Sequence, residues 1–572
     1  MMNASEAEAL RKWTMRYPYL RMGLIPALRE LQERRRAILP EDEELLADLF
    51  EVPLSRVHEV ATFFPFFTEK PTGEYRVGLC RGISCALAGS SRMEGQLERA
   101  LRKDPRFNLE TMECLGACDF APAVIVNEVL VGAGTEELAS DLASDPESLL
   151  GKPPRGSERT TIAPGPNAIL TRQLESHWPG IYGALEKALS RKPAEIVEEV
   201  KKSNLRGLGG AGFPTGMKWS TVPTKEQIPG PRHFVVNADE SEPGCFKDRV
   251  LLERAPHQLL EGLLIASYAI GAEQSFIFIR GEYERQFEVL QKAIGEAEAA
   301  GLIGENVLGR GFHCRIQIAR GAGAYISGLD TALLETMEGK KAWPRQPPPF
   351  PTVVGLFGKP TVVNNVETVS MLPHIIARGA EWFAGIGTEK SGGTSLFAVS
   401  GHVERPGVYE FPMGTPLRTI LEAAGGVKGG RNLKGVIPGG ASTPVLTPSE
   451  IDVPMDFDGL RSVGSFKGAG GVIVLDETAD MALVAHNIER FLAHESCGQC
   501  TPCREGSEWT VAILDRILDR HGDPSDLENL DRMGENITGK VICALGDTVG
   551  VVTRAFMKKF PEDFRGKVGA SR

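Results

Sequence analysis

Eight of the ten cysteines in this 572-residue chain fall into two groups of four. Cys497-Gly-Gln-Cys500-Thr-Pro-Cys503 is a C-x2-C-x2-C run, with Cys543 forty residues further on. Three thiols on one turn hold three corners of a cube and the fourth iron takes its ligand from elsewhere, the arrangement of a [4Fe–4S] cluster. Structural zinc prefers two separated pairs, and a thioredoxin-type motif has no use for a third cysteine. Cys80-x4-Cys85 with Cys114-x3-Cys118 is two such separated pairs. They suit a [2Fe–2S] rhomb with two thiolates per iron, and zinc stands as the alternative. Cys245 and Cys314 have no partner spacing and read as buried structural thiols.

Gly207-Leu-Gly209-Gly210-Ala-Gly212 matches G-x-G-x-x-G. A dinucleotide fingerprint must follow an apolar strand, however, and the polar helix end Glu198–Leu205 precedes it here. What remains is a loop able to approach a phosphate or flat ring, with Lys218 nearby for charge, or else a helix C-terminal turn. Asn237-Ala-Asp239-Glu240-Ser-Glu242 follows the apolar run Phe234–Val236, and ligand sites favour strand C-terminal ends. A solvated acidic turn is the plainer reading. Gly321–Gly328, including Tyr325, and Val363–Thr368, including Asn364 and Asn365, are further loops rich in small residues and amides.

The elements that must position these residues follow from periodicity and punctuation. Pro40 opens a helix with Glu41 to Glu44 in its first turn, and a second helical stripe carries Val57, Val60, Ala61 and Phe64. Tyr75–Leu79 alternates as a strand ending at Cys80, and Val124–Val126 and Val129–Val131 form a hairpin around Asn127-Glu128. Residues 1–150 thus make a small α/β domain. Residues 151–169, with Gly151-Lys-Pro-Pro-Arg-Gly in front, read as a linker. An α/β domain spans 170–394, a β-rich module 395–475 and a helical domain 476–572. The fold class is multidomain α/β.

Composition narrows the class. The chain has 42% hydrophobic and 24% charged residues, which excludes disorder and fibrous folds. Its 64 basic and 75 acidic residues give a net charge of −11, which argues against a broad nucleic-acid footprint. Glu6, Glu8, Arg11 and Lys12 stand where a signal peptide is apolar, and Gly262–Ala272 is far short of a span of ~20 residues. The expectation is a cytoplasmic protein, brought to the inner face of a membrane only through partner subunits.

Taken in order, Leu205–Trp219, Asn237–Arg249, Ile279-Arg-Gly-Glu-Tyr283, Glu495–Gly506 and Ile542–Asp547 resemble the flavin-binding subunit of NADH:quinone oxidoreductase (respiratory complex I). That family includes the diaphorase subunits of soluble hydrogenases and formate dehydrogenases. Val57–Phe63 and Glu113–Cys118 resemble its thioredoxin-like [2Fe–2S] partner subunit, so the chain looks like a fusion of the two. The resemblance implies FMN held through Gly207, Gly209, Gly210, Gly212, Lys218, Asn237, Asp239, Glu240, Glu242, Tyr325, Gly328, Asn364 and Asn365, with Glu240 and Glu242 as the catalytic acids. It also implies a β-grasp-like (SLBB) module, [2Fe–2S] on Cys80, Cys85, Cys114 and Cys118, and [4Fe–4S] on Cys497, Cys500, Cys503 and Cys543. NADH is the implied substrate, with Phe213 and Phe350 as adenine-stacking rings, and a further iron–sulfur subunit is the implied partner. NADH delivers a hydride and a cluster accepts one electron; flavin does both, and no protein general base is needed.

The chain departs from the family at Leu208, Thr221, Ser327, Leu329, Asp330 and Pro347. Several of these positions contact the nicotinamide nucleotide in the family, where charged hydrogen bonds are worth ~1.5–3 kcal/mol each. Two readings follow from this: an NADH-oxidising electron-input subunit, or an NADH-independent flavin/iron–sulfur relay in a larger bifurcating or reductase complex. A metal-stabilised scaffold without redox chemistry does not account for the retained flavin residues.

Overall fold

The computed structural model describes residues 10, 12, 16–157, 160–174 and 182–569. Glu6, Glu8 and Arg11 lie outside the described residues. Helices Leu24–Arg35, Pro40–Phe50 and Leu54–Phe63 come first, with Pro40 at the first helical position and Asp42 accepting from the Leu39 N–H at 3.1 Å. Leu24, Leu28 and Leu46 are fully buried, and each such side chain contributes ~1.5–3 kcal/mol. Their apolar core continues through Ala322 and Ile326 to Met481, Ile488 and Leu514 of the C-terminal helices.

The first sheet has the order β2-β1-β3-β4, from β1 (Tyr75–Cys80), β2 (Phe107–Met112), β3 (Ala123–Val126) and β4 (Val129–Ala133). β1 and β2 are parallel, and Cys80 pairs with Met112. Asn127 and Glu128 close the β3–β4 hairpin with φ of 46° and 69°, the double left-handed turn whose twist matches a hairpin.

The stretch of linker composition is not a free tether. Thr161–Pro164 forms β5, which pairs in parallel with Gly407–Glu410 in the third sheet. Glycine and proline mark turns in sequence, but a short edge strand needs only backbone partners, and composition does not report these.

The second sheet is β10-β6-β7-β9-β8, built from β6 (His233–Ala238), β7 (Gln274–Ile279), β8 (Gly304–Val307), β9 (Phe312–Arg320) and β10 (Thr361–Asn365). β10, β6, β7 and β9 are parallel, and β8 is an antiparallel edge. The chain runs from β6 outward to β7 and β9, then returns on the other side of β6 as β10. The crevice between the β6 and β10 C-terminal ends is therefore the topological switch point, where doubly wound sheets bind ligands. Asn237 and Asn365 are paired across it.

The third sheet, β13-β14-β11-β12-β5, contains β11 (Thr394–Gly401), β12 (Gly407–Pro412), β13 (Leu433–Ile437) and β14 (Gly471–Asp476). Helices Met481–His494, Thr501–Leu518, Pro524–Ile537 and Ala544–Lys559 complete the chain. Among the described residues no helix is long and apolar enough to cross a membrane.

Candidate flavin crevice and cysteine centres

The glycine loop follows helix Pro193–Lys202, as its polar flank indicates, so it opens no Rossmann unit. Gly207 N–H donates to Phe213 O at 2.9 Å, and Arg206 Nε donates to Gly212 O at 2.6 Å, folding the loop on itself. Two of its glycines are required by close approach. A Cβ on Gly209 would lie 2.7 Å from Asn365 Cβ, and one on Gly212 (φ 69°) would lie 2.3 Å from the Phe457 ring. The loop is thereby pressed against the β10 end of the crevice, and a flat ligand can meet its backbone.

Lys218 Nζ donates to Val363 O at 3.0 Å, and burial pulls the ammonium below its ordinary value. The next residue, Trp219, donates Nε1–H to Asn364 Oδ1 at 2.9 Å. Asn237 Nδ2 donates to Gly328 O at 2.7 Å, and its Oδ1 accepts from Asp239 N–H at 3.0 Å. Asn365 Nδ2 donates to Asp248 Oδ2 at 2.6 Å. The loops singled out in sequence thus converge on one crevice. Burial raises Asp239 to about 7.

The two glutamates read as catalytic are both engaged by protein. Glu240 accepts from Asp248 N–H and Arg249 N–H at 2.9 Å each and from Tyr283 Oη–H at 3.0 Å. Its carboxylate caps helix Lys247–Arg254 and does not face the crevice as a free acid; burial raises its pKa. Glu242 accepts from Tyr325 Oη–H and Ser442 N–H at 2.7 Å each, joining this crevice to the β-rich module. Tyr325 N–H in turn donates to Glu495 Oε2 at 2.9 Å, and the ring meets Phe491 edge-on at 5.0 Å. Phe213 and Phe350 stand apart from this network at 55% and 61% exposure.

Three of the positions that depart from the family, Leu208, Thr221 and Asp330, are engaged by other parts of the protein. Leu208 is buried in the core, with its N–H donating to Thr368 Oγ1 at 2.9 Å. Thr221 Oγ1 donates to Thr352 Oγ1 at 2.9 Å, tying the Lys218 helix to the loop that carries Phe350. Asp330 accepts from Thr331 N–H at 2.8 Å, and its charge favours the Lys218 ammonium.

Cys80, Cys85, Cys114 and Cys118 are all buried, and thiol contacts link Cys80 to Cys114 and Cys85, and Cys114 to Cys118. Contact with Cys114, then with Cys85 and burial, pushes the Cys80 thiol well up, and contact with Cys114, then burial, does the same to Cys118. Such crowding of thiols is poorly stable without a cation to share, so the donor set fits a thiolate-bound iron cluster. The second group meets at two helix starts. Cys500 and Cys543 are the N-cap residues of helices Thr501–Leu518 and Ala544–Lys559, whose dipoles favour an anionic centre. Ile542 N–H donates to Cys500 Sγ at 3.4 Å, and Ser496 Oγ lies 3.3 Å from Cys503 Sγ. Among the described residues no three His, Cys, Asp or Glu side chains are arranged to hold one metal ion.

Both cysteine loops are bonded directly to the flavin domain. Arg280 donates Nη2–H to Cys114 O at 2.5 Å and Nη1–H to Glu240 O at 2.6 Å. Trp343 donates Nε1–H to Cys497 O at 2.8 Å. A cavity of about 80 Å³, lined by Cys114, Ser241, Arg280, Tyr325, His494 and Glu495 among others, lies between the three parts. Neither Arg280 nor Trp343 stands out as a site residue in sequence. The only signal is Arg280's place in Ile279–Tyr283, and burial of a cation does not show in sequence.

Four families match the chain segment by segment. They are the thioredoxin-like [2Fe-2S] ferredoxin over 10–145, the Nuo51 FMN-binding domain over 200–374, the SLBB domain over 395–474, and the NADH-ubiquinone oxidoreductase-F iron-sulfur binding region over 483–567. The NADH-quinone oxidoreductase F 2 subunit of Rhizobium meliloti (strain 1021) is 52% identical over 387 residues, covering 67% of this chain and 91% of that protein. The NADH-quinone oxidoreductase F subunit of Rickettsia typhi (strain ATCC VR-144 / Wilmington) is 49% identical over 385 residues, with the same coverages. A chain of the NAD+-reducing [NiFe]-hydrogenase in its air-oxidized crystal structure superposes with a TM-score of 0.84 at 31% identity, covering 95% of this chain and 93% of that one. The hydrogenase chain therefore spans both halves, whereas the Rhizobium and Rickettsia proteins match two thirds of the length. The chain belongs to the family of NADH-quinone oxidoreductase F subunits, joined to a thioredoxin-like [2Fe-2S] ferredoxin domain.

Proposed function

We propose that this chain is the electron-input subunit of a multisubunit oxidoreductase, taking electrons from NADH and passing them singly toward further iron–sulfur subunits. The observation that carries this reading is that one α/β domain holds the flavin-type crevice and bonds to both cysteine loops, through Arg280 at Cys114 and Trp343 at Cys497. When bound, FMN supplies the exchange between the two-electron chemistry of a hydride and the one-electron chemistry of the clusters.

FMN is assigned to the β6/β10 crevice. The loop of Gly207, Gly209, Gly210 and Gly212 is assigned to its rim, since Gly209 packs against Asn365, and Lys218 has N–H donors beyond its bond to Val363 O for a phosphate. Asn237, Asp239, Gly328, Asn364 and Asn365 line the strand ends. Glu240 acts as a positioning residue that fixes the acidic loop on helix Lys247–Arg254, and Glu242 with Tyr325 fixes the crevice wall against the cluster helix. Phe213 and Phe350 are the exposed rings available to an adenine. Cys80, Cys85, Cys114 and Cys118 are assigned to [2Fe–2S], and Cys497, Cys500, Cys503 and Cys543 to [4Fe–4S].

Anaerobic titration of the FMN-loaded protein with NADH is expected to bleach the flavin absorbance. Flavin that stays oxidised at millimolar NADH, yet bleaches with dithionite, would overturn NADH as the donor and favour the NADH-independent relay.

A further inference from the structure

The turn Ser465-Phe-Lys467-Gly-Ala-Gly-Gly471 leads into β14 and places a lysine in the interior. Lys467 is 1% exposed, and its Nζ has no hydrogen-bond partner among the described residues. Lysine is almost never fully buried unless paired, because an unpaired ammonium is costly to desolvate. Its surroundings are two aromatic rings, Phe397 at 5.7 Å and Phe457 at 5.5 Å, and a set of buried charges. Gly470 (φ 85°) sits between the two lysines: a Cβ there would lie 2.7 Å from Leu396 O and at contact distance, 3.7 Å, from both Lys467 Nζ and Lys247 Cε.

The charges facing Lys467 are Lys247, Asp248 and Glu367, with the Cys245 thiol beside them. Lys247 Nζ pairs with Asp248 at 2.8 Å and Glu367 at 2.7 Å, so these two carboxylates are already shared with another cation. The set leads straight to the crevice. Asp248 Oδ2 holds Asn365 Nδ2, and the Phe457 ring next to Lys467 is the ring that covers Gly212. The Phe457 ring thus stands between Lys467 and the glycine loop, with the Arg206 guanidinium over the same ring at 4.3 Å, and the Lys247–Asp248 pair connects the surroundings of Lys467 to Asn365.

We propose that Lys467, contributed by the β-rich module, is a positioning residue whose fixed positive charge beneath the flavin crevice raises the reduction potential of the bound flavin. This rests on the assignment of FMN to that crevice. Reduction places negative charge on the flavin, and a cation in a low-dielectric wall favours that form. Without Lys467, two carboxylates face one cation. Burial pulls the amine down to about 8, so the charge is present at neutral pH and lost in alkali.

The test uses full-length, FMN-loaded protein and two measurements, flavin binding by fluorescence quenching and flavin potential by spectroelectrochemical titration. Lys467→Met is expected to bind FMN, yet at pH 6.5 to hold about tenfold less reduced flavin in the same redox buffer, equivalent to ~30 mV for a two-electron couple. Lys467→Arg keeps the charge and is expected to retain the wild-type potential. At pH 9.5 the wild type is expected to fall to the Lys467→Met value. Wild-type protein that fails to quench FMN overturns the crevice assignment and the proposal with it. Normal FMN binding with an unchanged potential in Lys467→Met, or an equal fall in Lys467→Arg, overturns the proposal alone.

Discussion

Glu489 lies on helix Met481–His494 at 0% exposure, accepting a hydrogen bond from Thr553 Oγ1–H at 2.6 Å, while its second oxygen has no partner among the described residues. Burial pushes this carboxyl up from its ordinary 4.5 to about 8. A raised folded-state value means that the folded protein holds the proton more tightly than the unfolded chain does. The associated stability is fully present below about pH 4.5 and is lost as pH rises through about 8. Glu489→Gln mimics the neutral form, so urea unfolding is expected to match wild type at pH 5 and to gain on the order of 1–3 kcal/mol at pH 9. Parallel curves for the two proteins across that range would refute this. At this scale the sequence is legible only where chemistry is local. Cysteine spacing reports ligand number without any knowledge of tertiary contacts. Glu489 and Lys467 read as ordinary charged residues, because Thr553 and Phe397 reach them from distant segments; Glu240 reads as a catalytic acid, because its bonds to the helix start eight and nine residues on do not show in composition.

At the scale of elements, one loop does much of the positioning. The loop between β2 and β3 holds Cys114 and Cys118 around Gly116, whose φ is 62° and where a Cβ would lie 2.4 Å from Tyr283 Oη and 2.9 Å from Arg280 Nη1. Only glycine meets both the left-handed backbone and the close approach. Gly116→Val is expected to push this loop off the flavin domain, abolishing or shifting the [2Fe–2S] EPR signal while leaving the [4Fe–4S] signal intact. A spectrum unchanged in both would mean that the loop tolerates the displacement. The hairpin β3–β4 and the C-terminal helices are legible from alternation and helical spacing. β5 is not, because its four residues sit in a Gly- and Pro-rich stretch and gain strand character only from β12. The crevice itself depends on strand order, and order in a sheet is not written in any one segment.

Across the whole molecule, the ferredoxin-type domain is locked to the rest by buried polar contacts. Asp119 pairs with Arg249 at 2.5 Å, with both side chains buried, and Thr160 Oγ1 also donates to Asp119 at 2.5 Å. Ser84 and Ser400 share a buried hydrogen bond at 2.9 Å, and Arg490 holds Glu113 at 2.6 Å. Removing one partner of a buried pair strands the other, so Asp119→Ala is expected to cost about 3–5 kcal/mol. The loss should show as faster amide exchange along β1 and the Cys114–Cys118 loop, with β6 and β7 unaffected; unchanged exchange would show that the pair does not hold the interface. The strand β5 adds a constraint of another kind. It lies between the two halves in the chain but completes the sheet of the second half, where it covers the open edge of β12. A gene encoding the two halves as separate polypeptides must therefore break before Thr161, so that both products emerge with their sheets whole. A break after Pro164 would leave the larger product with a bare β12 edge, ready to pair with a second molecule.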